Sequence, residues 1–157
     1  AGGRKFKMWK IRTMHVDAEA RLHQLLARDG AARLEGDTFL KLRHDPRVIP
    51  VLGTFLRRSS LDELPQLLNV LRGEMSLVGP RPFPDYHLER FDPEFRARRR
   101  EVVPGITGYW QVTARSEGDL EVQRSCDLFY IDNRSLKLDL QILGRTVAAI
   151  LRGDGAY

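Results

Sequence analysis

Apolar residues recur along this chain mostly at helical spacing, and the polar residues between them mark where helices start and stop. Leu64, Leu67, Leu68 and Leu71 stand at i, i+3, i+4 and i+7, which predicts a helix with one apolar face. Ser60 and Glu63 have the spacing of a capping box ahead of it, and Gly73 is a natural stop. Pro65 belongs in a first turn. The helix therefore starts late, and Asp62 and Glu63 fall in the turn that feeds it. A second stripe, Leu136, Leu140, Leu143, Val147, Ile150 and Leu151, predicts a long last helix capped by Ser135 and stopped by Gly153. Such a stripe more often faces a core. Lys137, Arg145 and Arg152 on other faces leave a role at a membrane interface open.

Shorter patterns fill in the rest. Asp17 caps a helix through Leu22, Leu25 and Leu26 that ends near Gly30. Asp92-Pro93-Glu94 starts a helix with proline at its first position, running into the arginines of 96–100, which read most simply as a solvated face and are also suited to acidic lipid headgroups. Segment 119–133 reads as helical, with Leu120, Leu128 and Ile131 inward. Arg4, Lys5, Lys7, Lys10 and Arg12 alternate with Phe6, Met8, Trp9 and Ile11, which predicts a strand with one basic and one apolar face. Segment 39–43 reads as extended, His44-Asp45-Pro46-Arg47 as a turn, and 51–58 as a short helix or extended piece. Segment 104–108 reads as a Gly/Pro loop and 109–112 as a strand. The sum is one α+β domain over 1–157, mostly helical with a small antiparallel sheet.

Composition narrows the function classes. The formal charge is +5, from 26 Lys and Arg against 21 Asp and Glu, which favours an anionic partner without choosing among phosphates, nucleic acid and acidic lipid. One cysteine, Cys126, excludes an internal disulfide and fits a reducing compartment. Its neighbours Leu128, Phe129 and Ile131 make it a packing residue. The four histidines are scattered and give no zinc pattern. No apolar run reaches the roughly 20 residues that span a bilayer.

The candidate chemistry lies at Asp62-Glu63. Acids at a helix start commonly offset the macrodipole. Capping alone does not ask for two adjacent acids, for Arg57-Arg58 upstream, or for Gly79-Pro80-Arg81-Pro82 downstream. Helix neighbours point about 100° apart, because residues three and four apart share a face. The two acids therefore suit different jobs, for example one nucleophile and one metal ligand.

Segment 61–82, Leu-Asp-Glu-Leu-Pro-Gln-Leu-Leu-Asn-Val-Leu-Arg-Gly-Glu-Met-Ser-Leu-Val-Gly-Pro-Arg-Pro, resembles the core signature of the bacterial sugar transferases, the monotopic polyprenyl-phosphate sugar-1-phosphate transferases or phosphoglycosyl transferases. Lys7-Met8-Trp9-Lys10-Ile11-Arg12-Thr13-Met14 resembles their K-F-R-T/S-M segment. Pro104-Gly105-Ile106-Thr107-Gly108-Tyr109-Trp110-Gln111-Val112 resembles their P-G-I-T-G-W/Y-x-Q-V segment. Asp127-Leu128-Phe129-Tyr130-Ile131 with Leu138-Asp139-Leu140 resembles a fourth.

The resemblance implies a reaction. A hexose-1-phosphate moves from a UDP-sugar to polyprenyl (undecaprenyl) phosphate and UMP is released, the first membrane step of exopolysaccharide, capsule or O-antigen synthesis. It implies Asp62 as the nucleophile that forms a phospho-aspartate, Glu63 as the ligand of Mg²⁺, and Arg57, Arg81 and Lys10 as phosphate-binding residues. Arg115 and Asp127 are implied as supporting residues, towards the nucleotide. It further implies amphipathic helices at the membrane interface, an upstream membrane-embedded segment outside this chain, and a place on the cytoplasmic face of the bacterial inner membrane. An anionic membrane surface is then a partner, and a homodimer is left open.

Two alternatives come from other classes. A basic nucleic-acid-binding module has the charge and the arginine-rich segments, but the chain has no helix-turn-helix, zinc or RNP signature, so nucleic acid is not an expected partner. A non-catalytic peripheral membrane scaffold would use the last helix and the 96–100 arginines.

Overall fold

A computed structural model describes residues 2–29, 45–114 and 120–152, with the backbone alone at 25–29. The predicted features at Gly30, 39–43, His44, Arg115, Asp119 and Gly153 lie outside the described residues.

Helix α1 (Ala18–Asp29) begins where Asp17 accepts a hydrogen bond from Arg21 Nε at 2.9 Å. A turn at Asp45-Pro46-Arg47 follows, closed by Arg47 N–H on Asp45 Oδ1 at 3.0 Å. Helix α2 (Leu52–Arg58) leads into a 3₁₀ turn (Leu61–Glu63) and helix α3 (Gln66–Leu71). Pro65 is the N-cap of α3, so the helix starts late, as its ring requires. Gly73 ends it at φ 70°, a left-handed conformation that glycine adopts without steric cost. The predicted capping box does not form. Ser60 adopts φ 55° and its side chain caps nothing.

The sheet has two three-residue strands, β1 (Ser76–Val78) and β2 (Gly105–Thr107). They are parallel, with Ser76 opposite Gly105 and Val78 opposite Thr107, rather than antiparallel as expected. The intervening chain carries helices α4 (Asp85–Leu88) and α5 (Pro93–Arg99), a crossover long enough to bring the second strand back in the same direction. Segment 109–112 is helical, within α6 (Tyr109–Thr113), and the strand is the preceding Gly/Pro stretch. Helices α7 (Leu120–Asn133) and α8 (Leu136–Arg152) complete the described fold. Asp92 caps α5 by accepting from Phe95 N–H at 2.8 Å, and Ser135 Oγ accepts from Leu138 N–H at 3.3 Å. Both caps are legible in the sequence.

The core gathers Val78, Tyr130 and Ile142, with Tyr109, Val112, Leu138 and Leu143 packed against them. Most of the α8 stripe does not face it. Leu136, Leu140, Val147 and Leu151 are exposed, and the buried residue of α8 is Ile142. The leucines of α3 are likewise turned out: Leu67, Leu68 and Leu71, with Leu64 just before the helix, are exposed, whereas Gln66 and Asn69 are buried. The basic segment at 4–12 forms no strand; its neighbour Met14 makes a single antiparallel bridge to Val48.

Candidate active site

The local backbone fixes where each charged group sits. The 3₁₀ turn presents Asp62 and Glu63, and Ile11 N–H donates to the Asp62 carbonyl at 2.9 Å, which holds the basic segment against that turn. Lys10 Nζ then lies 3.1 Å from Asp62 Oδ2 and 3.2 Å from Glu63 Oε1, bridging the two carboxylates. Arg81 Nη2 reaches the same Glu63 Oε1 at 2.8 Å. Glu63 does not return to Ser60 because these cations hold its carboxylate. Burial pushes the Glu63 carboxyl up, but Arg81 and Lys10 outweigh it and take its pKa down to about 2.

Arg81 arrives from the turn after β1, and that turn is set by backbone pressed on backbone. Gly79 N–H donates to Thr107 O at 2.9 Å and Gly105 N–H to Pro80 O at 3.0 Å. A Cβ on Gly105 would stand 2.1 Å from Gly79 N, so glycine is needed where the two motifs meet. On the far side of the turn, Arg99 Nη2 donates to the Arg81 carbonyl. Arg99 Nη1 also pairs with Asp127 Oδ2 at 2.6 Å, and its guanidinium lies 4.1 Å from the centre of the Phe83 ring. Burial works against both charges, pushing the Asp127 carboxyl up to about 6 against the opposing Arg99 and pulling the guanidinium down.

Glu63 and Arg81 form the polar end of a cleft of about 210 Å³. Its apolar walls come from Leu64 at the end of the 3₁₀ turn, α3 (Leu67), the sheet (Leu77, Ile106) and α8 (Leu143, Ile150). Thr107 and Thr146 meet across its floor, their hydroxyls 2.7 Å apart. Asp62 does not line the cleft: it is 3% exposed and sits behind Lys10.

Residues 1–153 match the family described as bacterial sugar transferase. The chain belongs to that family. It is 46% identical over 159 residues to a UDP-galactose-lipid carrier transferase of Erwinia amylovora, covering 99% of this chain and 32% of that protein. It is 44% identical over 165 residues to a UDP-glucose:undecaprenyl-phosphate glucose-1-phosphate transferase of Caulobacter vibrioides, covering 99% of this chain and 55% of that one. It is 43% identical over 157 residues to the exopolysaccharide production protein ExoY of Sinorhizobium fredii, covering 99% and 68%. The chain thus spans about a third of the length of the first of these relatives, 32%.

The structure of this sugar transferase domain unites four of the sequence-predicted residues, Lys10, Asp62, Glu63 and Arg81, at 3.2 Å or less from one to the next. Asp127 stands one step behind, acting through Arg99 on the Arg81 backbone. Arg57 sits apart in the last turn of α2, half-buried, where its charge falls on Asp45. Arg115 lies outside the described residues. Arg99 reads from sequence as part of a solvated arginine face, yet its side chain is 7% exposed. Phe95 and Arg99 stand at i and i+4 on α5, and Phe95 is buried, so the spacing does mark the inner face of the helix.

Among the described residues no group of three His, Cys, Asp or Glu side chains could hold a metal ion. Two adjacent carboxylates nevertheless fit Mg²⁺, which is usually bound by one or two carboxylates together with substrate phosphates and water rather than in an all-protein cage.

Proposed function

We propose that this domain transfers a sugar-1-phosphate from a UDP-sugar to a polyprenyl phosphate, through an aspartyl phosphate on Asp62. The observation that carries the reading is the pair of carboxylates bridged by Lys10, of which Glu63, held by Arg81, lines an apolar cleft while Asp62 lies behind Lys10 beside it. The names of the matched relatives support a nucleotide-sugar donor and a lipid carrier.

Both reactants are anions, so fixed positive charge has to precede bond formation. Lys10 and Arg81 supply it. In the ligand-free arrangement Lys10 covers Asp62. An incoming diphosphate competes for the ammonium and draws it off, which exposes the carboxylate. An Asp62 oxygen then attacks the β-phosphorus of the donor. The bond from that phosphorus to the bridging oxygen breaks, and UMP leaves with the oxygen. A phosphate oxygen of the polyprenyl acceptor next attacks the same phosphorus, and the Asp62–phosphorus bond breaks, restoring the carboxylate. Glu63, with Asp62 beside it, would hold Mg²⁺, which supplies Lewis-acid and template character when bound.

The apolar walls of the cleft suit the isoprenoid part of the acceptor. They continue onto exposed Leu68 and Leu71 of α3 and Val147 and Leu151 of α8, apolar side chains suited to the interface of a bilayer. No helix among the described residues is long and apolar enough to cross a membrane. The direct test is UMP release with a panel of UDP-sugars and undecaprenyl phosphate, wild type against Asp62→Asn. The amide keeps the volume of the carboxylate but cannot form an acyl-phosphate, so turnover is expected to vanish; activity within tenfold of wild type would sink the assignment.

A further inference from the structure

Lys10 reaches the two carboxylates from a segment without regular structure of its own. Residues 4–12 form neither helix nor strand, and eight of the nine are exposed. Such a segment needs outside partners to hold one lysine in register. One is the Asp62 carbonyl, which accepts from Ile11 N–H. A second, close to the lysine, is the side chain of Asn69, which is 0% exposed in the middle of α3. Its Oδ1 accepts from Trp9 N–H at 3.1 Å, and its Nδ2 donates to the Lys7 carbonyl at 2.8 Å. One amide thus takes an N–H and gives an N–H to residues two apart, as the edge of a neighbouring β-strand would. The second Nδ2 hydrogen goes to Glu74 Oε2 at 2.7 Å, which fixes the amide so that its oxygen faces Trp9. Lys10 lies between the two pinned amides, those of Trp9 and Ile11.

We propose that Asn69 is a positioning residue for Lys10: a buried amide that acts as a surrogate strand edge and sets the register of the segment delivering the lysine to Asp62 and Glu63. The inference rests on Lys10 being a working cation of the site. Aspartate at 69 keeps the shape and still accepts from Trp9 N–H, but it turns a second acceptor towards the Lys7 carbonyl and the Glu74 carboxylate, so it should release the segment without emptying the site.

The test is a double-mutant cycle on the purified protein, read as UMP release with a UDP-sugar and undecaprenyl phosphate. Asn69→Asp and Lys10→Ala are each expected to lower kcat/KM for the donor by tenfold or more. The double variant should be no worse than Lys10→Ala alone, since the anchor then has no lysine to place. A general folding defect would instead multiply the two losses, and that result overturns the proposal. Amide hydrogen exchange gives a readout independent of turnover: the Ile11 N–H should exchange faster in Asn69→Asp, and unchanged exchange contradicts the anchor. Should Asn69→Asp fail to fold, Trp9→Pro removes the same N–H from the exposed side. It should cost more activity than Trp9→Ala, which keeps the N–H, and equal losses overturn the proposal. If Lys10→Ala leaves turnover unchanged, the reading of Lys10 falls together with the proposal built on it; multiplying losses on an impaired Lys10→Ala remove the proposal alone.

Discussion

Replacing Asp127 with asparagine tests how the Arg81 turn is supported. Asp127 and Arg99 form a desolvated ion pair at 2.6 Å, with side chains 4% and 7% exposed. Removing one partner of such a pair leaves the other charge buried and typically costs about 3–5 kcal/mol. Asparagine still offers an oxygen to Arg99, and it relieves the desolvation that pushes the carboxyl pKa up to about 6. The loss should therefore fall at the low end, about 3 kcal/mol. For a domain of this size each kcal/mol moves Tm by roughly 2–4 °C, so a drop of about 6–12 °C is expected in thermal denaturation followed by circular dichroism. A second variant separates stability from function. Arg99→Met with Asp127→Leu removes both charges and should recover most of the lost stability, since apolar replacement of a buried pair is often neutral. It should not recover UMP release, because the Arg81 carbonyl loses the donor that Arg99 provides. A Tm shift below about 2 °C in Asp127→Asn, or full activity in the double variant, would refute this view of the pair.

Three further outcomes follow from the geometry. Glu63 has a folded-state pKa of about 2 against 4.5 unperturbed, so its contribution to stability is fully present above about pH 4.5 and is lost as pH falls through 2; urea midpoints measured across that window should decline less steeply in Glu63→Gln than in wild type. If Glu63 holds Mg²⁺, chelation should abolish turnover and Glu63→Gln should raise the Mg²⁺ concentration needed for half-maximal rate; a rate indifferent to chelator removes the metal from the scheme. Leu68→Ser with Leu71→Ser should lower Tm by no more than about 2–4 °C, as two exposed substitutions together usually cost no more than about 1 kcal/mol, yet reduce co-sedimentation with anionic vesicles; undiminished binding would mean that the basic segments alone hold the surface.

What the sequence made legible was mostly local hydrogen-bond chemistry. Asp92-Pro93, Ser135, Pro65 and Gly73 each mark a helix boundary through the backbone groups they satisfy or forbid, and all four stand where expected. Asp62, Glu63, Lys10 and Arg81 follow from motif resemblance, and the structure brings them together. The misses are tertiary. Three-residue strands carry too little pattern to announce themselves, and the direction of pairing depends on the crossover through α4 and α5. Leucine periodicity predicts the helical faces of α3 and α8 correctly but not which way they point. On α3 the buried positions are Gln66 and Asn69, because one of them binds backbone instead of packing. Two of the four arginines in the cluster that reads as a surface feature, and as support for a nucleic-acid module, are committed: Arg98 to Asp132 and Glu101, and Arg99 to Asp127.

Covalent phosphorylation of Asp62 is the central step of the proposed reaction, and one measurement reaches it directly. Protein is mixed with a UDP-sugar in the absence of any polyprenyl phosphate, and UMP is quantified on the time scale of a single turnover. A nucleophilic Asp62 predicts a burst of UMP equal to the concentration of active protein, followed by little further release, and no burst in Asp62→Asn. UMP that appears only when the acceptor is added, with initial rates that intersect rather than run parallel, would mean direct transfer in a ternary complex and would contradict a nucleophilic role for Asp62.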